Sequence, residues 1–389
     1  MGAMDSVLVS RTLDGDPQRG FGSEDRPAIG ELELILRSAI DAGASDVHIE
    51  PARGCGIVRC RVDGVLAEIR KLNPSLHAQV VSRVKLLAGM DIADKRQPQD
   101  GRYSLVSAGR EVDARVSSMP TSAGEKLVIR LLDHGARVPD IADIGMPPAM
   151  LSRFRSLVLA PHGFVVVTGP TGSGKTTTAY AALLQRDVTR ENLCSVEDPV
   201  EVALPGVAQV QVNLKAGVTF ASALRALLRQ DPNAILIGEM RDGETAAVAA
   251  RAAMSGQLVL TTLHSNDAPT ALDRIAGLGV APSTIASALT AIVAQRLVRK
   301  ICTVCRREDG CDACGRTGYS GRAALFECLF LDDALRRLVA SGAPSLSVAQ
   351  AARESGFAGL HAAGAQALSA GVTTRAELRR VLPPEGAAW

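Results

Sequence analysis

The chain has 389 residues, of which 47% are hydrophobic and 3% aromatic, and a formal net charge of +2. This length suffices for two or three domains with sizeable cores, and the near-neutral charge and scarce aromatic side chains disfavour a nucleic-acid-binding protein. No apolar run reaches the roughly 18 residues that a membrane-spanning helix requires, and the sequence shows no signal peptide, so we expect a cytosolic protein.

The first third of the chain predicts a leader followed by a small α+β domain. Residues 1–27 are polar, residues 1–3 resemble a cloning remnant, and we expect a flexible leader. Helical periodicity predicts helices over 29–42 and 75–89, and the Asp63-Gly64 turn predicts a hairpin over 56–72. With two further strands, residues 28–133 form the predicted domain. Residues 134–148, which contain several Pro and Gly, are the predicted linker to a second domain over 149–389.

A phosphate-binding loop is predicted where an apolar strand over 163–168 meets a glycine-rich segment and then a helix. Its glycines allow backbone N–H groups to turn inward around a phosphate, and the positive end of the helix faces the same anion. We expect Lys175 to reach the β- and γ-phosphates and the Thr176 hydroxyl to bind Mg²⁺. The predicted nucleotide-binding residues are Gly169, Pro170, Thr171, Gly172, Ser173, Gly174, Lys175, Thr176 and Thr177.

Strand and helix patterns alternate up to about residue 280, which predicts a parallel sheet with crossover helices. Glu239 ends an apolar strand, where a P-loop enzyme carries its second acidic element, and we expect it to act on the attacking water. Glu197 follows another apolar run with Asp198 and Glu201. Three carboxylates so close repel one another unless a cation or an arginine lies among them, which favours a metal-facing cluster. His264 ends a third run, and although such a histidine more often has a structural role, its place at the same crevice makes it a candidate.

Four of the eight cysteines form two C-x-x-C pairs separated by five residues, namely Cys302, Cys305, Cys311 and Cys314. This spacing predicts a tetrahedral zinc site over 302–314. Since protein ligands fill all four positions, the zinc would be structural and its binding would fold the loop. Beyond it, residues 331–383 are rich in Ala, Leu and Arg and predict helices.

Arginines near the nucleotide are of interest because positive charge stabilises the transition state of phosphoryl transfer. Arg115 and Arg130 lie on the last predicted strands of the small domain. Arg225 and Arg229 are four residues apart, on one face of a predicted helix. Composition alone selects none of these four.

Together these stretches resemble the secretion ATPases of the type II secretion and type IV pilus superfamily, the GspE/PilB-like motors, from about residue 28 to 380. GPTGSGKTTT resembles the Walker A motif, CSVEDPVE the Asp box, LRQDPNAILIGEMRD the Walker B motif and GQLVLTTLHSNDA the His box. ASDVHIEP and LAGMDIADKRQPQDGR resemble the second N-terminal domain of the family. AQRLVRKIC and GCDACGRTGYSGR resemble its zinc-binding segment.

The resemblance implies an α/β fold in which a small α+β N-terminal domain precedes a RecA-like P-loop ATPase domain with a four-cysteine zinc-binding insertion and a helical C-terminus. It implies a homo-hexamer at the cytoplasmic face of the bacterial inner membrane that hydrolyses ATP, with Mg²⁺, to power assembly of a type II secretion pseudopilus. The implied partners are an inner-membrane platform protein and the cytoplasmic part of a membrane-anchored component, without nucleic acid.

The resemblance also implies residue roles. Glu239 and Glu197 share the role of catalytic carboxylate, and His264 senses the γ-phosphate. Charge stabilisation falls to Arg115, Arg130, Arg225 and Arg229.

Alternatives to type II secretion remain at this level. A type IV pilus extension motor or a competence-pilus motor has the same motifs, and the five-residue spacing in the zinc segment is shorter than in most type II secretion members. Only about 27 residues precede the small domain, where the family has a further N-terminal domain. A DNA translocase or conjugation ATPase, or a scaffold that binds nucleotide without hydrolysis, fits the sequence less well.

Overall fold

The structure is a computed structural model and describes residues 11–12, 26–107, 109–133, 137–307 and 309–383. The chain divides between Arg137 and Val138 into two compact units. The predicted leader lies outside the described residues, except for residues 11–12 and 26–27. Among the described residues, every helix is too short or too polar to span a lipid bilayer.

The first unit is a sheet with two helices packed on it. Among its described residues the sheet has seven strands in the order β1-β5-β6-β7-β2-β3-β4, and all pairs are antiparallel except β1 with β5. The predicted hairpin is confirmed as β3 and β4, because Asp63 and Gly64 both take positive φ angles, of 48° and 81°, as a two-residue hairpin turn requires. The elements are β1 (Arg11–Thr12), α1 (Arg26–Asp41), β2 (Asp46–Ala52), β3 (Cys55–Val62), β4 (Val65–Leu72), α2 (Pro74–Leu87), β5 (Gln99–Ser107), β6 (Arg110–Thr121) and β7 (Gly124–Asp133).

The second unit contains the predicted parallel sheet. In the part that the structure describes, the strand order is β10-β9-β11-β12-β8-β13-β14, and every pair is parallel except the last. Its first half comprises α3 (Pro148–Val158), β8 (Gly163–Thr168), α4 (Lys175–Leu183), β9 (Leu193–Glu197), β10 (Val207–Gln211), α5 (Phe220–Leu227), β11 (Ala234–Ile237), α6 (Gly243–Met254) and β12 (Leu258–Leu263). Its second half comprises α7 (Ala268–Gly277), α8 (Pro282–Ala288), β13 (Leu289–Ile301), β14 (Tyr319–Phe330), α9 (Asp333–Ala340), α10 (Ser345–Glu354), α11 (Leu360–Ser369) and α12 (Arg375–Val381).

The central strands β8 and β12 are buried along their whole length. Parallel strands covered on both faces appear in a sequence as continuous apolar runs, which is why their positions could be predicted. One buried cluster contains Phe154 and Leu183 from α3 and α4, and another contains Leu224 and Ile275 from α5 and α7. Because the strands are parallel, the segments that follow β8, β9, β11 and β12 all emerge at one edge of the sheet.

The helices predicted over 331–383 are present as α9 to α12, and a buried ion-pair cluster fastens the last of them to β13. Glu377 is 1% exposed and accepts hydrogen bonds from the backbone N–H of Arg299 at 2.9 Å, from the Arg299 guanidinium at 2.8 Å and from Arg380 at 2.6 Å. Burial raises the pKa of this carboxyl, but the bonds from Arg380 and Arg299 outweigh it and lower the pKa to about 2. The ionised carboxylate therefore stabilises the fold above the ordinary glutamate pKa, and this contribution is lost as the pH falls towards 2.

We expect the substitution Glu377→Gln to lower the free energy of unfolding by about 3 kcal/mol, the size seen when one partner of a buried ion pair is removed. Chemical denaturation monitored by circular dichroism measures this loss. Glu354→Gln is the matched control, because Glu354 is exposed at the end of α10 and should change the free energy of unfolding by less than about 0.5 kcal/mol. Equal effects of the two substitutions would contradict a stabilising role for the cluster.

Candidate active site

The loop between β8 and α4 has the shape that a phosphate requires. Gly169 and Gly174 take φ angles of 149° and 86°. A Cβ atom at Gly169 would lie 2.5 Å from the backbone carbonyl oxygen of Gln295, and one at Gly174 would lie 2.8 Å from the side-chain Nε2 of the same residue. The backbone of β13 therefore excludes a side chain at Gly169, and the left-handed φ angle disfavours one at Gly174. The Ser173 hydroxyl is buried and has no hydrogen-bond partner among the described residues. A buried, unsatisfied hydroxyl inside such a loop fits a bound anion.

Lys175 begins α4 and is the buried cation of this loop. Its ammonium group donates to the carbonyl oxygens of Gly169 and Pro170, both at 2.9 Å. Burial lowers the pKa of Lys175 to about 8, with attraction from Glu239 opposing the shift and repulsion from Arg296 adding to it. An anion bound in the loop would stabilise the charged form and raise this pKa again. Thr176, the predicted Mg²⁺ ligand, is the second residue of the same helix and is partly buried.

This shift gives a prediction for the protonation change on nucleotide binding. At pH 8 about half of the Lys175 side chains are neutral in the free protein, so binding of a phosphate should take up about half a proton at this residue. Titration calorimetry in two buffers of different ionisation enthalpy measures the uptake. In Lys175→Arg the guanidinium is charged throughout, so the uptake should disappear. The same uptake in both proteins would show that Lys175 does not contact the anion.

Glu239 lies beside His264, and the two residues follow the neighbouring strands β11 and β12. The Glu239 carboxylate contacts the His264 imidazole at 3.2 Å and accepts a hydrogen bond from Arg241 at 2.8 Å. Burial lowers the pKa of His264, repulsion from Lys175 lowers it further, and Glu239 opposes both. The lowered pKa favours the neutral form of the imidazole beside the Glu239 carboxylate. Glu239 remains partly exposed and accessible to water.

Glu197 has different surroundings from Glu239. It is 2% exposed and accepts hydrogen bonds from the hydroxyls of Tyr180 and Ser195 and from the Gln209 amide, the last at 3.0 Å. The Tyr180 hydroxyl also accepts from the backbone N–H of Glu201, at 3.4 Å. Glu197 therefore connects α4 to β9 and β10, and its oxygens are occupied by protein donors.

An arginine lies beside one of the carboxylates that follow β9. Arg241 approaches Asp198 at 3.5 Å while it also binds Glu239.

The His264 loop, residues 264–267, is held in place by residues that the sequence did not single out. The hydroxyls of Thr168 and Ser265 lie 2.7 Å apart, and the backbone N–H of Ser265 donates to Thr168 at 3.0 Å. Arg296 donates to the Asn266 carbonyl oxygen at 2.6 Å. These contacts join positions 30 to 97 residues apart in the chain. The only sequence signal for Arg296 was its place in the AQRL stretch that resembles the family.

The prediction that Arg225 and Arg229 share one face of a helix is wrong. Helix α5 ends at Leu227 and Leu228 is its C-cap, so Arg229 lies beyond the helix. Its guanidinium turns back and donates to the Arg225 carbonyl oxygen at 2.9 Å. Arg225 itself forms an ion pair with Glu244 on α6. Both arginines are exposed and have protein partners.

Arg115 and Arg130 face each other on paired strands of the first unit. Arg115 pairs in register with Arg130 on one side and with Arg102 on the other, so three arginines lie in one row across β5, β6 and β7. Arg102 was not predicted, because cross-strand register cannot be read from one strand. The row lines a cleft of about 670 Å³ together with Asp46, whose carboxylate accepts from Arg130 at 3.0 Å. With Asp100 as its other acidic residue, the cleft has an excess of positive charge and suits an anion.

The four cysteines predicted to bind zinc come together between β13 and β14. All four sulfur atoms lie within 4.8 Å of one another, with separations of 3.8 Å between Cys311 and Cys314 and 4.0 Å between Cys305 and Cys314. With Zn–S bonds of about 2.3 Å, the corners of a tetrahedral site are about 3.8 Å apart, so the cluster has the required size. The backbone N–H of Cys311 donates to the sulfur of Cys314 and lowers its pKa to about 6. Thiolate is the form that binds zinc, and Cys302 completes the set.

Comparisons with known proteins agree with this arrangement. The sequence profile of the family described as "Type II/IV secretion system protein" matches residues 22–380. The type II secretion system protein HxcR of Pseudomonas aeruginosa is 48% identical over 392 residues, which cover 98% of this chain and 84% of that protein. The type IV pilus assembly ATPase PilB of Thermus thermophilus is 40% identical over 373 residues, covering 89% of this chain and 42% of that protein. The crystal structure of the pilus retraction motor PilT with bound ADP matches with a TM-score of 0.64 at 25% identity, over 92% of this chain and 98% of that one.

The predicted α/β fold and the predicted ATPase activity are thus confirmed. The family profile spans most of the chain, and one relative is 48% identical over 98% of this chain. The chain belongs to the type II/IV secretion system protein family, as one of its GspE/PilB-like secretion ATPases.

Proposed function

We propose that this secretion ATPase hydrolyses ATP at the cytoplasmic face of the inner membrane to power assembly of a type II secretion pseudopilus. The observation that carries this proposal is the 48% identity to a type II secretion protein over nearly the whole chain. The phosphate loop, the accessible carboxylate and the histidine lie at one edge of the sheet, and this arrangement supports the hydrolytic part of the proposal.

In the proposed reaction, the phosphates of ATP lie in the loop over 169–174, with the Lys175 ammonium leaving its carbonyl partners to contact them. The Thr176 hydroxyl would hold Mg²⁺. When bound, the ion supplies positive charge to the phosphate oxygens. Glu239 takes a proton from the attacking water, since its carboxylate is the accessible one. Arg241 and His264 each contact one oxygen of the Glu239 carboxylate and orient it. A displacement of His264 therefore changes the orientation of the Glu239 carboxylate.

Glu197 has a positioning role in this proposal. Three protein donors occupy its oxygens, so it holds α4, which carries Lys175, against β9 instead of acting on water. Arg115 and Arg130 are proposed to contribute charge stabilisation, now as part of the row with Arg102. Arg225 and Arg229 have protein partners on the surface and are the weaker candidates.

The proposed assembly is a homo-hexamer that works with an inner-membrane platform protein and with the cytoplasmic part of a membrane-anchored component. The zinc site over 302–314 is proposed to be structural. Nucleic acid is not a proposed partner, because the chain is nearly neutral.

Capture of the Glu239→Gln protein from the host bacterium in the presence of ATP tests this function. The protein should stall with ATP bound and retain its partners, and mass spectrometry should find a polytopic platform protein together with secretion components. The 40% identity to PilB favours one competing outcome, recovery of type IV pilus proteins, which would reassign the motor to pilus extension. Recovery of DNA-processing proteins would overturn both assignments.

A further inference from the structure

Glu327 is a buried carboxylate that the proposed mechanism does not use. It lies on β14 and is 3% exposed. One of its oxygens accepts a hydrogen bond from the backbone N–H of Ala268, and the other accepts from the backbone N–H of Leu360 at 2.8 Å. Ala268 and Leu360 are the first residues of α7 and α11. A single carboxylate thus binds the positive ends of two helices, which stabilises its charge and fixes the two helix ends relative to each other.

On one side, this carboxylate is connected to the nucleotide site. Ala268 directly follows the His264 loop, so the bond to Glu327 fixes the end of that loop. The other end of the loop is fixed by Ser265 to Thr168, the last residue before the phosphate loop. In between, Arg296 donates to the Asn266 carbonyl oxygen, and Glu327 attracts the same guanidinium. The buried Arg296 and Glu327 therefore hold the loop from the side of β13 and β14.

On the other side, the carboxylate is connected to the C-terminal helices. Helix α11 packs against β14 and begins at Leu360, which is buried. Its N-cap residue Gly359 offers no side-chain cap, so Glu327 supplies the acceptor that the first turn requires. A displacement of α7 therefore changes the hydrogen bonding of α11 through two bonds to one side chain.

We propose that Glu327 is a positioning residue that couples the His264 loop to helix α11, so that nucleotide binding alters the first turn of α11. This inference rests on the proposed function, in which ATP binds in the phosphate loop and His264 orients the catalytic carboxylate. It extends that function by connecting nucleotide binding to the C-terminal helices through the hydrogen bonds of Glu327.

Hydrogen–deuterium exchange measured by mass spectrometry tests the coupling. The full chain is compared without nucleotide and with Mg²⁺ and the non-hydrolysable analogue AMP-PNP. In the unaltered protein we expect the analogue to slow exchange about fivefold in the first turn of α11, the lower end of typical coupling between two sites. In Glu327→Gln the analogue should still slow exchange in the phosphate loop, whereas the response of α11 should be lost. Steady-state kinetics should show kcat about tenfold lower with KM for ATP within about twofold, since a loop that acts in the transition state is displaced.

Two further variants separate coupling from general destabilisation. Glu327→Asp retains the charge but is one methylene shorter and cannot reach both helices, so it should fold and still lose the α11 response. Glu377→Gln removes another buried carboxylate of the C-terminal region, which holds α12, and should keep the α11 response. A response of α11 that persists in both Glu327 variants would overturn the coupling. If AMP-PNP binds the unaltered protein and exchange in α11 does not change, the proposed coupling is wrong and the proposed function stands. If AMP-PNP does not bind, the proposed function is overturned as well.

Discussion

The substitution Glu239→Gln is expected to lower the rate of ATP hydrolysis about 1000-fold while ATP binding is retained, because a positioned general base typically contributes about 10²- to 10⁴-fold. Glutamine has the shape of glutamate and still accepts a hydrogen bond from Arg241, but it cannot take a proton from water. The Lys175 loop is unchanged, so the affinity for a fluorescent ATP analogue should remain within about twofold. Phosphate release in single-turnover experiments, together with fluorescence binding, measures the two quantities separately.

The comparison with Glu197→Gln makes this prediction specific. Both substitutions remove a carboxylate from the same sheet edge, but Glu197 is buried among three donors and Glu239 is partly exposed. The amide in Glu197→Gln presents N–H groups to at least one of those donors, so we expect a loss of about 1–3 kcal/mol in the free energy of unfolding. Glu239→Gln should leave the free energy of unfolding nearly unchanged. Near-normal turnover in Glu239→Gln would show that the base lies elsewhere.

Loss of zinc is expected to unfold the cysteine segment over 302–314. Structural zinc typically contributes about 10–16 kcal/mol of binding free energy in small zinc sites, and that energy is folding energy. Purified protein should contain about one zinc per chain, as the four-cysteine cluster requires. Cys314→Ser removes the ligand whose sulfur accepts the Cys311 N–H, so we expect zinc loss by elemental analysis and faster trypsin cleavage at the exposed Arg306 and Arg307.

Cys55→Ser is the matched control for the zinc prediction. Cys55 is a free cysteine at the start of β3, outside the cluster. The zinc content and the trypsin cleavage pattern of the Cys55→Ser protein should therefore equal those of the unaltered protein. A chain purified without chelator and free of zinc would disprove the zinc assignment. Equal trypsin resistance of zinc-free and zinc-loaded protein would show that the segment folds without metal.

Local chemistry explains how much of the site could be predicted from the sequence. The phosphate loop needs glycines, a lysine and a helix start at consecutive positions, so a single short stretch contains the whole pattern. Each C-x-x-C pair similarly places two zinc ligands close together through its local spacing. Strand ends were predictable because buried parallel strands are continuous apolar runs, and this pattern alone placed Glu239 and His264 at the same crevice.

The parts that could not be predicted depend on register and on helix ends. Arg102 lies in one row with Arg115 and Arg130 only because β5 pairs with β6 in this register. No local pattern in either strand predicts that register. The prediction for Arg229 failed because α5 ends two residues before it, and helix ends are the least certain part of a periodic pattern. The long antiparallel pair β13 and β14, which carries Arg296 and Glu327, was also not predicted.

The sequence by itself determined the class of the protein, an ATPase with a phosphate loop, a second carboxylate and a four-cysteine cluster, because these features depend on neighbours along the chain. Only the tertiary structure decided how the two carboxylates differ. Glu197 is enclosed by Tyr180 and Gln209, whereas Glu239 is left open to water. It likewise decided that one side chain, Glu327, connects the His264 loop with α11. The physical reason is that burial and hydrogen-bond partners come from residues distant in the chain, which only folding brings together.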